Sequence, residues 1–204
     1  MTTLSTSADQ GAGGPGLLRT TFGRFRLFSP IDWVVYFIWV GVMGGLALAS
    51  SAFLAIGRRA GAVFPAEAYL VPVGAVIFTL AIAVDTIGHR TVYKEILRGG
   101  EALVHHVTIT TGVGACLFLI AAYPQRTTLA LVAGVFTALS FIYSLVDEAM
   151  HWRRYLSRHS DVVEMWSHVF ILIGHGTMMA GWWRWYLLGY PGVKTTLAAL
   201  GLAG

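Results

Sequence analysis

The sequence predicts an all-α integral membrane protein of about five transmembrane helices, with the second–third and fourth–fifth forming a parallel internal repeat. Three observations carry that expectation. The chain is 56 % hydrophobic and only 12 % charged, with mean hydropathy +0.67, whereas soluble domains average about 25 % charged. It contains apolar runs near the ~20 residues that a helix needs to cross a bilayer. Finally, VDTIGH at 84–89 is echoed by VDEAMH at 146–151, an offset of 62 residues.

Residues 1–16 (MTTLSTSADQGAGGPG) are small, polar and glycine-rich, and they lack the apolar stretch and cleavage site of a signal peptide. A disordered tail is expected there. A single transmembrane helical domain is expected over 17–190, with spans at 31–56, 68–88, 103–124, 128–150 and 164–187. Arg58-Arg59 and Pro65 close the first span, and Pro124-Gln125-Arg126 reads as a tight turn between the third and fourth. Residues 89–102 and 151–163 are longer polar connections. The repeat halves are thus 68–124 and 128–187, and 191–204 is apolar but too short to span, so it is expected at the membrane interface.

Composition also excludes several classes. The single Cys116 rules out a disulfide framework and any multi-cysteine metal or iron–sulfur site within this chain. The net charge of +4 is accounted for by basic residues at helix ends and does not call for a nucleic-acid partner. Arg19, Arg24, Arg26, Arg90, Lys94, Arg98, Arg153, Arg154 and Arg158 lie on one side of the expected topology. Arg58, Arg59, Arg126, Arg184 and Lys194 lie on the other, a division of nine against five. The positive-inside rule then predicts a cytoplasmic N-terminus, and the expected location is a bacterial inner membrane. Arg153, Arg154 and Arg158 read as headgroup contacts. Trp182, Trp183, Trp185 and Tyr186 read as an outer aromatic belt, with Trp33 and Tyr36 at the inner interface. Expected partners are the lipid bilayer and other membrane subunits or a second copy of the chain.

The repeat extends beyond the opening motif. Val84-Asp85 matches Val146-Asp147, His89 matches His151, and Tyr93 matches Tyr155; after one inserted residue, Glu101 matches Glu164 and His105 matches His168. Residues four apart share a helix face. Each of four helices therefore presents a carboxylate and an imidazole together, at the same end of the membrane. Down the second helix Asp85 is deeper than His89, and entering the third Glu101 is shallower than His105. Within a hairpin, Asp85 is therefore expected to meet His105, and His89 to meet Glu101. The second hairpin repeats this with Asp147 and His168, then His151 and Glu164.

A lone Asp-x3-His near a helix end is ordinarily a solvated interfacial pair. Four carboxylate–imidazole pairs in register are another matter, because ionisable groups within spans are costly and face an interior or a watery cavity. The candidate metal ligands are Asp85, His89, Glu101, His105, Asp147, His151, Glu164 and His168. Imidazole and carboxylate together suit zinc, copper, iron or manganese. His175 lies on the face of His168 about 10 Å deeper, whereas His106 and His159 fall outside the repeat. Thr108, Thr110, Thr111 and Thr137 are the few hydroxyls that a polar path to the other side could use.

Asp-x3-His followed by a histidine near the start of the next membrane helix resembles the C subunit of the copper membrane monooxygenases (particulate methane and ammonia monooxygenases). The resemblance covers roughly residues 80–180 and implies a copper set of Asp85, His89 and His105. It implies a second set of Asp147, His151 and His168, with Asp147 where that family has asparagine. The histidine-to-histidine gaps are a few residues longer here, and Glu101 and Glu164 have no clear counterpart. The function expected on these grounds is a copper- or iron-dependent, monooxygenase-like oxidoreductase, or a subunit of one, acting on an apolar substrate. The carboxylates equally suit a di-iron or di-manganese centre. Two alternatives stand beside it: electron transfer by a bis-histidine haem b, and a non-enzymatic role in metal transport or complex assembly.

Overall fold

Ser29-Pro30-Ile31-Asp32 starts the first long helix in the manner its residue types dictate. Pro30 occupies the first helical turn, where a missing N–H costs nothing. Asp32 Oδ2 accepts from the Ser29 backbone N–H (2.9 Å) and hydroxyl (2.6 Å). The computed structural model describes residues 17–92, 100–124, 126–158 and 162–202, and the side chains of 17, 18, 101, 102 and 158 lie outside that description. The elements are α1 (Leu17–Gly23), a 3-10 turn (Arg24–Leu27), α2 (Pro30–Arg59), α3 (Ala66–Thr91), α4 (Gly100–Ala121), α5 (Thr127–Arg158), α6 (Val162–Leu187) and α7 (Val193–Ala199). The described residues contain no strand. The expected tail over 1–16 and the residues Tyr93, Lys94, Arg98 and His159 lie outside them.

Four helices among the described residues are long and apolar enough to cross a membrane: Pro30–Arg59, Ala66–Thr91, Leu103–Ala121 and Thr127–Ser157. Helix α6 is as long as α3, at 26 residues, but its run is diluted by Glu164, His168, His175 and Arg184. Large apolar side chains such as Phe37, Leu48, Leu80, Leu117, Leu131 and Leu145 are more than half exposed. A surface of that kind suits lipid rather than water.

Packing does not follow the hairpins. Helix α3 packs chiefly on α6, and α4 chiefly on α5, while α2 lies along α3 and meets α7. Small residues make the α3–α6 contact. A Cβ on Gly74 would collide with the backbone of Met178 and lie 2.6 Å from Gly174 O; one on Gly174 would lie 2.6 Å from Phe78 N; one on Gly181 would lie 2.7 Å from Glu67 O. Close backbone approach over small residues is how membrane helices gain dispersion energy where lipid offers no hydrophobic drive. On the other pair, Ala115, Leu119 and Ala122 of α4 and Ala130 and Ala133 of α5 are buried, and Gly114 faces Phe136.

One expectation about aromatic residues is corrected. Trp182, Trp185 and Tyr186 do not form a belt at the lipid interface; they are 6–7 % exposed and belong to the core. Trp185 Nε1 donates to Pro191 O (3.0 Å), and the Tyr190 hydroxyl donates to Leu119 O (2.8 Å) across to α4. The polar atoms of Trp185 and Tyr190 are thus satisfied by protein backbone, so those two rings need no headgroup. Trp33 and Tyr36 stack with Phe25 and Phe28 of the 3-10 turn and its exit, which fastens the N-terminal segment to α2. Residues 193–199, in the apolar C-terminal segment, form α7, with Val193 and Thr196 buried.

Candidate metal centre

The α3–α6 crossing runs antiparallel, so the close contacts form a ladder. Gly181 lies beside Glu67 and Leu70, and Gly174 beside Gly74 and Phe78. Followed towards the C-terminus of α3, the same ladder brings His168 to Asp85, with His168 Nε2 3.2 Å from Asp85 Oδ1. The α4–α5 pair has the same order of contacts: Gly114 by Phe136, Gly112 by Ser140, then His105 Nε2 3.2 Å from Asp147 Oδ1. The intra-hairpin pairing expected for Asp85 is therefore corrected. Its carboxylate meets His168 and, at 3.4 Å, His89 of its own helix, rather than His105. Asp147 does lie near His168, with Oδ2 3.5 Å from Nδ1, but its closer contact is His105.

All four helices deliver their groups to one place. His151 Nε2 is 3.5 Å from Asp147 Oδ1, and His151 Nδ1 is 3.1 Å from Glu164 Oε1. The pairing of His151 with Glu164 is the one expected from the repeat. Its counterpart, His89 with Glu101, lies outside the described side chains. The rings of His89, His105, His151 and His168 stand within 5.4–6.2 Å of one another in most pairs, and His151 and His168 approach to 3.6 Å. Asp85, His89, Asp147, His151, Glu164 and His168 are each 8 % exposed or less, and His105 is half-buried.

Asp85 Oδ1, Asp147 Oδ1, His105 Nε2 and His168 Nε2 are buried without a hydrogen bond of acceptable geometry, although each lies 3.2 Å from an oppositely polarised partner. A buried polar group left so costs about 1–3 kcal/mol, and four in one pocket are a specific demand for something to satisfy them. Two sets of ligand atoms could hold a metal ion: those of His89, His151, Glu164 and His168, and those of His105, Asp147 and His151, each within 4.8 Å. Metal–ligand bonds near 2 Å place the donors of one ion about 3–4 Å apart, so a small inward adjustment meets the requirement. The nitrogen and oxygen donors fit zinc, copper, iron or manganese.

Two supporting groups escaped the sequence reading. Arg154, expected at lipid headgroups, instead turns inward to Glu164, with Nη1 3.2 Å from Oε1 and its side chain only 13 % exposed. The signal was present: Arg154 is three residues after His151 and shares its face. The second is Asp32, buried to 1 % exposure at the start of α2, which accepts from Arg90 Nε at 2.6 Å. That ion pair ties α2 to the residue following His89. The S-P-x-D string marks the helix start, but nothing in it names Arg90.

The remaining histidines divide as expected in part. His106 is exposed and points away. His175 is buried between Phe141, stacked at 4.5 Å, and Phe78 at 6.0 Å, so what lies deeper than the cluster is an aromatic sandwich. The hydroxyls of Thr111 and Thr137 donate to Val107 O and Ala133 O one turn back, and Thr137 Oγ1 also accepts from Trp183 Nε1. Cys116 is a free thiol well removed along α4 from His105. A cavity of about 350 Å³ lies at the opposite end of the bundle, walled by Leu54, Ala68, Val71, Trp182, Trp185 and Val193 among others. It offers no metal ligand and stands some 20 Å along α3 from Asp85.

Fold and site together define a class: an all-helical protein with membrane-length apolar helices and a buried histidine–carboxylate cluster able to hold a metal ion. Comparison of the chain with protein-family models, curated proteins and solved structures gave no match.

Proposed function

We propose that this protein is an integral membrane metalloprotein of five spans, with α6 as the fifth. Its cluster holds copper or iron, and it works as a monooxygenase-like oxidoreductase, or a subunit of one, on an apolar substrate. The observation that carries the reading is the convergence of His89, His105, His151 and His168 with Asp85, Asp147 and Glu164. Asp85–His168 and Asp147–His105 stand at the same 3.2 Å. The equality also supports the internal repeat, because α3 and α6 exchange with α5 and α4 under its offset. A pseudo-two-fold axis along the membrane normal relates the two pairs.

A copper or iron ion bound there would supply redox and Lewis-acid chemistry. The chain's own residues do the rest. The imidazoles and aspartates bind, and the burial of six of these side chains limits water. Glu164 Oε1 stands 3.1 Å from His151 Nδ1 at the same centre, and Arg154, 3.2 Å from that oxygen, holds Glu164 in place. Carboxylates from three helices also favour a di-iron or di-manganese variant of the same reading. The haem b reading finds less support, since Asp85 and Asp147 stand among the imidazoles where a porphyrin would need apolar walls. Metal transport finds less support still, because Phe78 and Phe141 enclose His175 beyond the cluster. By the Lys/Arg balance the site faces the cytoplasmic side of a bacterial inner membrane.

Purification in mild detergent, with elemental analysis by mass spectrometry and an optical spectrum, tests the proposal. One or two copper or iron ions per folded chain without a Soret band is the expected result. A folded preparation free of both metal and haem removes the metal reading, and a Soret band replaces it with haem.

A further inference from the structure

The repeat leads one to expect two independent ligand sets, one per half. The structure divides the donors differently. One group comprises His89, His151, Glu164 and His168, drawn from α3, α5 and α6; the other comprises His105, Asp147 and His151, drawn from α4 and α5. His151 alone belongs to both. Six side chains exceed what a four-coordinate ion takes, and the donors of His105 and Asp147 do not fall within one sphere with those of His89 and Glu164.

The two ring nitrogens of His151 face the two groups separately. Nδ1 lies 3.1 Å from Glu164 Oε1, and Nε2 lies 3.5 Å from Asp147 Oδ1. The ring is 2 % exposed and held in place against His168 at 3.6 Å. Imidazole has a nitrogen on each of two edges, so a ring wedged between two donor sets can serve both.

We propose that the centre is dinuclear and that His151 bridges the two ions as an imidazolate. This rests on the metal reading above and adds its nuclearity and its bridge. The Nδ1 side completes its ion with His89, His168 and Glu164, and the Nε2 side with His105 and Asp147. Asp85, 3.2 Å from His168 and 3.4 Å from His89, orients the first group. Binding of the second ion displaces the remaining ring proton of His151 to solvent. With bonds near 2 Å on each nitrogen, the ions stand roughly 6 Å apart, farther than the ~3.5–4 Å of the usual two-metal hydrolytic sites. The competing arrangement has Glu164 only orienting His151 towards a single ion.

Copper(II) titrated into the metal-stripped, detergent-solubilised full chain separates the two. The readouts are copper bound per chain and the integrated electron paramagnetic resonance signal. Two coppers with a signal well below the copper content, because the bridge couples the spins, is the expected result. In His151→Ala the expected result is a fall to about one copper whose signal integrates fully. One copper at full signal in the unaltered chain overturns the bridge and leaves the metal reading standing, as do two coppers at full signal. No copper on a folded chain overturns the metal reading itself. If His151→Ala fails to fold, the count and signal of the unaltered chain decide alone.

Discussion

His168 reaches Asp85 across the α3–α6 contact, Nε2 to Oδ1 at 3.2 Å, although the two residues belong to different halves of the repeat. The contact depends on the helices approaching closely enough for short side chains to meet. It is matched by His105 and Asp147 across α4 and α5 at the same distance. Under the proposed repeat the two pairs are equivalent, so they should respond alike to substitution.

A double-mutant cycle on each pair checks that equivalence. Asp85→Asn with His168→Gln, and Asp147→Asn with His105→Gln, should each show a coupling of about 0.5–3 kcal/mol in the unfolding of the metal-stripped chain. Additive effects within either pair would mean that the contact carries no energy.

Metal retention should follow depth and directness. His168→Ala or His105→Ala is expected to lose most of the bound metal. Glu164→Gln, which keeps an oxygen in place but removes its charge, should lose less, lowering affinity about 10–100-fold. Tyr155→Phe should leave metal content unchanged. Metal per folded chain, measured across the four variants with expression and monodispersity checked, gives the ranking. A Glu164→Gln variant emptied while His168→Ala stays full would reverse it.

The glycine ladder predicts where bulk cannot be added. Gly74→Leu has backbone of α6 in its way, and overpacking there should cost about 3 kcal/mol or more. It should also reduce metal content by parting Asp85 from His168. Gly41→Ala, where a Cβ meets nothing within 4 Å, should be neutral or stabilise by about 0.5–1 kcal/mol. Thermal unfolding in one detergent compares the pair.

Arg90→Ala strands the buried Asp32 carboxylate. Loss of one partner of a buried ion pair costs about 3–5 kcal/mol. Because the Arg90 side chain is 31 % exposed, the expected loss is nearer ~2 kcal/mol. Arg153→Ala, on an exposed position of α5, should change stability by no more than about 0.5 kcal/mol.

Metal affinity should fall as pH falls. Ligating imidazoles and carboxylates must be deprotonated, so protons compete with the ion and binding releases them. Chelator at mildly acid pH should strip the centre faster than the same chelator at neutral pH. An affinity that rises on acidification would exclude ligation by these groups.

Much of this was legible in the residues themselves. Apolar runs longer than a bilayer needs, with Arg58-Arg59, Pro65 and Pro124 between them, determine where helices start and stop. The four-residue spacing of Asp85 and His89, and of Asp147 and His151, determines that carboxylate and imidazole share a helix face. Such patterns specify position along a helix and direction around it. They say nothing of which helix lies opposite. That was decided by packing: Gly74, Gly174 and Gly181 let α3 and α6 approach to backbone contact, and small residues do the same for α4 and α5. Adjacency in the chain would have paired each hairpin with itself. The same physics moved Trp182, Trp185 and Arg154 inward, because a partner for a polar atom exists only once the opposing helix is in place. The sequence determined which carboxylates and imidazoles share a helix face near the helix ends, and the tertiary contacts alone decided which carboxylate faces which imidazole.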